Sequence, residues 1–477
     1  MAQNNPLKIP NITEGIIRSA AITDVSSELP SVQEAVNVNY DRLGSTTVRP
    51  GLTAYSAVLS GSPIGLGVWN NNTSEKLLAQ VGNTIYAYSG GVWTSLGTNG
   101  GTSRVRYAQF IDYTYMVNGR SNDVVKSYDG TTYGTANTAS LQKGDYISAG
   151  FDSRVWIASA PENKVYYSDQ IPVGSAMAGG TDFIYFSPGQ GESITGIFEY
   201  KKALLVFMQN SIFRIYGPDV SDPYPAYFVG TYSQESIVRG KDSLYFHHST
   251  GFYRYSPNGE PQELSKRIKD IVDAIPRANY DNIFGWADDD NVYWHVGSVT
   301  IGSRTFRNLV VRYSMSSNNW TWYEYFNSAG STRTLTSAIV YDDGTNLNRL
   351  VGVSDGNVVK TNVGTTDLGD PIFYDEIGRW YTIGELQSDL MELKSMAGVG
   401  YGASGAVLEA QIDQDDENTW RTVGTYSSDY VTMFNSIVDL PPFNRIRFRK
   451  RGVSTGVAPI FDAIEIQNIS KAGTKNQ

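Results

Sequence analysis

The sequence predicts an all-β fold: a seven-bladed β-propeller with an N-terminal arm and hairpin before it and a C-terminal β-sandwich domain after it. Three observations carry that reading. A pattern of strands and turns recurs seven times, the composition suits pleated strands and tight turns, and the pattern stops well before the C-terminus. The clearest copy, residues 67–96, reads GVWNNNTSEKLLAQVGNTIYAYSGGVWTSL. An apolar strand ends in an Asn or acidic turn, and a second strand leads into a Gly/Asn turn. A Tyr-rich third strand and a variable fourth follow. The first strand recurs as AQFID (108–112), AGFDS (149–153), GIFEY (196–200), VRGKD (238–242), FGWAD (284–288) and AIVYD (338–342). From Val68 to Ile339 these lie about 45 residues apart, the period of four-stranded blades; seven is the reading, and six to eight fit the spacing. The 32 Tyr suit half-buried strands, and the 47 Gly suit the turns between them.

The bulk numbers bound the rest. The 477 residues leave room for about three average domains, of which a propeller takes most as one. No apolar stretch reaches the length of about 18 residues that a membrane-spanning helix needs, so no span is expected. The opening MAQNNPLKIP has neither a basic nor an apolar leader region, and no signal peptide is expected. With no cysteine, the chain has neither a disulfide framework nor a thiolate metal site. Its formal charge of 38 − 48 = −10 argues against tight sequence-reading of DNA, which needs a basic patch. Acidic surroundings do suit DNA that must slide without adhering.

Residues 1–54 read as an N-terminal arm and hairpin. Pro6, Pro10, Pro30 and Pro50 disfavour a long helix. Val36, Val38 and Tyr40 alternate, and DRLG supplies a turn before STTVRP, which makes 34–52 a hairpin. Such a hairpin either completes the last blade or caps one end. Residues 55–383 hold the propeller. Its first-to-second turns share one face and carry Asp112, Asp152, Asp288, Asp289, Asp290, Asp342 and Asp343, a candidate acidic face. The competing reading is that Asp simply favours turns. Segment 218–230 lengthens the fourth blade. Residues 265–276 form a helix on the rim, with Ser265 as cap and Ile268, Ile271, Val272 and Ile275 as its apolar face.

Residues 384–470 break the pattern and read as the sandwich, and 471–477 as a flexible tail. Segment 385–396 is ambiguous between strand and helix. In RIRFRKR, Arg445, Arg447, Arg449 and Arg451 face one way, and Ile446 and Phe448 the other. Four guanidiniums on one face need an acidic partner: a neighbouring strand's carboxylates, an adjoining subunit or phosphate. A subunit interface is the first choice. His247, His248 and His295 lack metal-ligand spacing. No nucleophile elbow, phosphate loop or dinucleotide fingerprint occurs.

The segment EAVNVNYDRLGSTTVRPGLTAY (34–55) resembles the opening of the packaged-DNA stabilisation proteins, the tail hub or nozzle subunits of short-tailed bacteriophages. The likeness rests on Val36, Asn37, Val38, Asn39, Arg49, Pro50 and Gly51. An acidic hairpin with Asp415, Asp416, Trp420 and Arg421, the Arg strand and a last alternating strand extend it to the C-terminus. The resemblance implies a structural virion protein with no catalytic activity and no cofactor or metal. It would be made in the bacterial cytoplasm and built into the short tail. Six copies would form a ring below the portal and adaptor rings, with tail fibres or a needle as further partners. Genomic double-stranded DNA would pass along the ring axis, retained until infection and read at no particular sequence. The rival is a glycan-binding or sialidase-like propeller, which needs Arg, Glu and Tyr clustered at the central funnel. Kelch-type and WD-type scaffolds are disfavoured because their repeat signatures are missing.

Overall fold

The computed structural model describes residues 7–9, 15–18, 31–40, 45–71, 73–136, 143–187, 191–220, 223–257, 259–327, 329–382, 389–416, 419–427, 430–434 and 440–474. Most of the arm, the DRLG turn at 41–44, residues 385–388 and the last three residues lie outside these.

The chain is a seven-bladed β-propeller. Six blades are continuous antiparallel meanders, at 63–98, 106–135, 146–185, 194–227, 238–263 and 284–323. Alternation and turn chemistry build each one. In blade 1, Val81 pairs with Thr84 across Gly82–Asn83, and Ser89 pairs with Val92 across Gly90–Gly91. Gly82 and Gly90 adopt φ of 59° and 60°, the left-handed backbone that two-residue hairpins require. The second strand of blade 4, Ala203–Met208, is buried at every position because neighbouring blades cover both of its faces. Apolar clusters fill the spaces between adjacent blades. The cluster between blades 5 and 6 continues without a break into the sandwich.

The seventh blade closes the ring. Its strands Leu335–Asp342, Leu347–Val353 and Val358–Thr361 take their fourth partner, Leu52–Ala54, from the N-terminal segment. Of the two roles expected of residues 34–52, completion of the last blade is realised, by the strand that follows the hairpin, while the hairpin itself joins the sandwich and caps no end. Val38–Asn39 and Thr46–Val48 form a short hairpin inside the sandwich, and the strand just after it completes the last blade.

The sandwich starts earlier than the expected boundary at 384. Since the N-terminus supplies the fourth strand of blade 7, the chain leaves the propeller after Thr361, and Ile372–Gly378 is already a sandwich strand. One sheet runs Val32–Val36, Ile372–Gly378, Arg445–Ser454, Val407–Ile412, Arg421–Thr425. The other runs Val38–Asn39, Thr46–Val48, Ile460–Thr474, Asp389–Tyr401, Val431–Phe434. Val32–Val36 also touches the outer strand of blade 6 through a parallel pairing of Val36 with Trp322, so one sheet spans both units. Residues 389–396 are strand. The expected tail is strand as far as Thr474, which pairs with Asp389.

The expected helix is a 3-10 turn, Ser265–Ile268, running into an α-helix, Lys269–Ala274. Its apolar face is buried as expected, in the core that fills the space between blades 5 and 6. Ser265 does not cap it. The Ser265 hydroxyl instead accepts the Phe252 amide at 3.0 Å, fastening the turn to blade 5.

Candidate functional site

Residues 37–51 form the joint of the molecule. Asn37 sits between Val32–Val36 in one sheet and Val38–Asn39 in the other, at a φ of 60° that turns the chain from sheet to sheet. Asn and Asp tolerate this conformation better than other side chains with a Cβ. Fully buried, Asn37 donates through Nδ2 to the carbonyls of Glu324 (2.9 Å) and Phe373 (2.6 Å). Its Oδ1 accepts from Arg49 Nε (2.8 Å) and the Glu324 amide (3.0 Å). One amide thereby ties blade 6, the sandwich and the hairpin together. Arg49, 1% exposed, places its fork on Asp367 at 2.8 and 2.5 Å and lies over the rings of Tyr325 (4.2 Å) and Tyr323 (5.4 Å). A Cβ on Gly51 would stand 1.9 Å from the Thr366 carbonyl oxygen, so the closing strand enters where only glycine fits.

The arginine row finds its partners within the chain. Arg449 takes Asp375 in two parallel hydrogen bonds, each 2.7 Å, with Glu409 3.5 Å away. Arg451 donates to Glu409 at 2.6 Å. Arg447 donates to Gln411 at 2.6 Å and to Gln33, and lies over Trp380 (4.7 Å) and Trp420 (5.1 Å). Arg445 stands 5.7 Å over Trp380. Of the three compensations expected, the structure shows neighbouring strands' carboxylates, because antiparallel pairing sets Ile372–Gly378 and Val407–Ile412 on either side of the row. Two of the four charges, on Arg449 and Arg451, are thus met by carboxylates, while Arg447 meets amide oxygens and indole rings and Arg445 an indole ring. Arg304, from the long hairpin of blade 6, adds ion pairs to Glu34 and Asp375 and so bridges propeller and sandwich.

All seven aspartates of the expected acidic face lie in or beside first-to-second turns, in blades 2, 3, 6 and 7. Turn chemistry accounts for three of them. Asp288 accepts from the Asp290 and Asn291 amides and from the Tyr293 hydroxyl. Asp342 accepts from the Gly344 amide, and Asp343 from the amides of Thr345 and Asn346. The Asn346 amide, more than any other contact, holds the Asp343 carboxyl below its ordinary range. Asp152 is paired with Arg154 (2.8 Å) and Asp289 with Arg349 (2.6 Å). Asp112 presents its backbone carbonyl to Trp69 Nε1. Asp290 belongs to the same turn as Asp288.

The central bore holds a constellation that the sequence reading missed. A cavity of about 210 Å³ opens where the inner strands begin, on the face opposite the aspartate turns. Arg104 and Arg106 reach it from the start of blade 2, and Glu235 from the 3-10 turn Gln234–Ser236 ahead of blade 5. Arg106 Nε lies 2.6 Å from Glu235, Nη1 donates to the Asp145 carbonyl (3.0 Å), and the guanidinium stacks 4.6 Å over Tyr146. Burial works to raise the Glu235 carboxyl, but Arg106 and Arg104 outweigh it and hold the group below the usual carboxylate range. Burial pushes the Tyr146 hydroxyl up to about 12. Glu235 is therefore an ion-pair anchor with no proton to give near neutral pH, and Tyr146 is a neutral phenol. The legible signal was the pair of charges in SRVRY (103–107), where blades 1 and 7 carry apolar or small residues.

The three histidines are buried and kept neutral. Burial lowers His247 to about 3, and burial with a neighbouring cation, Lys269 or Arg104, lowers His248 and His295 to about 4. His247 packs between Phe252 (5.2 Å) and Tyr280 (5.1 Å) as an aromatic. Among the described residues no three His, Asp or Glu gather as metal ligands.

Comparison with known families and with curated proteins finds no match. Several solved structures align with about two thirds of the chain. A streptogramin B lyase covers 65% of this chain and 97% of its own, at 14% identity and a TM-score of 0.43. YCF48 from Cyanidioschyzon merolae covers 65% of this chain and 98% of its own, at 11% identity and a TM-score of 0.40. The extracellular domain of a hybrid two component system from B. thetaiotaomicron covers 69% of this chain and 44% of its own, at 14% identity and a TM-score of 0.45. At these identities and TM-scores the likeness carries nothing about activity.

Proposed function

We propose that this chain is a structural virion protein, the tail hub or nozzle subunit of a short-tailed bacteriophage. It assembles as a homohexameric ring that continues the DNA channel below portal and adaptor. The observation that carries the reading is the joint. The residues behind the resemblance, Asn37, Arg49 and Gly51, are those that fix propeller to sandwich and close the ring of blades. A subunit that must bear load as one block needs such a joint. The bore, with about 210 Å³ of free space, is far too small for a duplex, so DNA would run along the axis of the ring of subunits. Six copies carry 6 × −10 = −60 formal charges, which favours passage without adhesion. A non-catalytic role is consistent with Glu235 being committed to Arg106.

The glycan-binding rival draws on one specific observation, the Arg, Glu and Tyr residues gathered in the bore. Mass photometry and negative-stain microscopy of the chain, with and without a co-expressed adaptor ring, separate the two readings. Sixfold rings are expected. A monomer under every condition that also binds or cleaves oligosaccharide would overturn the structural reading.

A further inference from the structure

The geometry points to the central bore as a binding site for a small carboxylate, seated on the guanidinium of Arg104. This inference is independent of the ring proposed above. Three observations support it. First, Arg106 is spent: Glu235, the Asp145 carbonyl and the Tyr146 ring take its fork and face. Arg104 makes one hydrogen bond, from Nη2 to the Thr336 carbonyl at 2.9 Å, and lies 5.6 Å over the Phe284 ring. Arg104 is itself one of the residues that line the cavity. Second, the charges do not balance. The cavity wall carries Arg104, Arg106 and Glu235, a sum of +1, and burial depresses the Arg104 guanidinium, with Glu235 offsetting only part of that. A desolvated cation whose charge is only partly offset is costly, and an arriving anion lowers that cost. Third, next to the wall residue Phe284, with the rings 5.0 Å apart, lies His295, 8% exposed, whose Nε2 has no hydrogen-bond partner among the described residues and on which Arg104 is the charged group that acts.

The chemistry of the wall selects the anion. A planar fork matches a carboxylate in two parallel hydrogen bonds. A surplus of one positive charge suits a monoanion, whereas phosphate carries about −1.5 to −2 near neutral pH. Ile64, Leu66, Val105, Phe284 and Ala338 give the remaining wall an apolar character that suits the carbon body of an organic acid. A space of about 210 Å³ suits a small organic acid.

The test is calorimetric titration of the full chain at fixed ionic strength with acetate, glucuronate, N-acetylneuraminate, inorganic phosphate and neutral galactose. Saturable binding with one site per chain is expected for at least one carboxylate, with galactose silent. An acetate response together with the sugar acids indicates a general carboxylate site, and a response to sugar acids alone indicates an acidic glycan. In Arg104→Gln, binding should fall at least tenfold with an unchanged circular dichroism spectrum. Arg120→Gln, a surface arginine paired with Glu162, serves as control and should bind as the unaltered chain does. Absence of binding by every carboxylate, phosphate binding as tightly as the carboxylates, or full binding by Arg104→Gln each overturns the proposal. The titration of the unaltered chain decides even if Arg104→Gln fails to fold.

Discussion

At the scale of single residues, stability is concentrated in buried polar groups that cannot be removed one at a time. Arg49 and Asp367 are each about 1% exposed and satisfy one another. Arg49→Met strands a buried carboxylate and should cost about 3–5 kcal/mol in urea unfolding, whereas Arg49→Met/Asp367→Leu should recover most of it. The histidines give a second prediction. Each is lowered on folding, so the unfolded chain takes up protons that the folded chain refuses. Their contribution is complete above about pH 6.5 and is lost as pH falls toward about 4, at up to about 1.4 kcal/mol per pH unit for each. Urea midpoints at about pH 7.5 and about pH 5 should differ more for the unaltered chain than for His247→Phe, which keeps the aromatic contacts and loses the proton site. Equal differences would assign the acid sensitivity to other groups.

At the scale of elements, what was legible in the sequence was what local chemistry specifies. Blade strands and their turns follow from period-two alternation and from Gly and Asn at fixed places, and the repeat multiplies that signal sevenfold. Partners far apart in the chain were not legible. Nothing local in Leu52–Ala54 says that it pairs with Val358–Thr361, or in Ile372–Gly378 that it leaves the propeller. The Arg row was read correctly as needing acid, but the acids stand on strands whose pairing a linear pattern does not contain. Arg449→Glu would set a third carboxylate beside Asp375 and Glu409. Discounted for the partial exposure of Arg449, it should cost about 2 kcal/mol and loosen the sandwich itself, seen as a lower urea midpoint. Gly51→Ala forces the closing strand off Thr366 and should cost about 1–3 kcal/mol or more, with faster amide exchange at Val359–Thr361.

At the scale of the whole molecule, propeller and sandwich share a sheet through Val32–Val36 and a core through the cluster beside the helix. A single cooperative unfolding transition is expected, in contrast to the two steps of loosely joined domains; calorimetry checks this, and a resolved low-temperature step would contradict it. The same joint has a consequence for synthesis. Leu52 and its partner Thr361 are 361 − 52 = 309 residues apart, and Thr46 pairs with Phe461 across 461 − 46 = 415. At about 5–20 residues per second, the first-made segment leaves the ribosome tens of seconds before its partners exist. The blades between can form as they emerge, yet neither ring nor sandwich is finished until the last strands arrive. A chain cut short by premature termination would therefore leave strands Thr46–Val48 and Leu52–Ala54 without the partners they pair with.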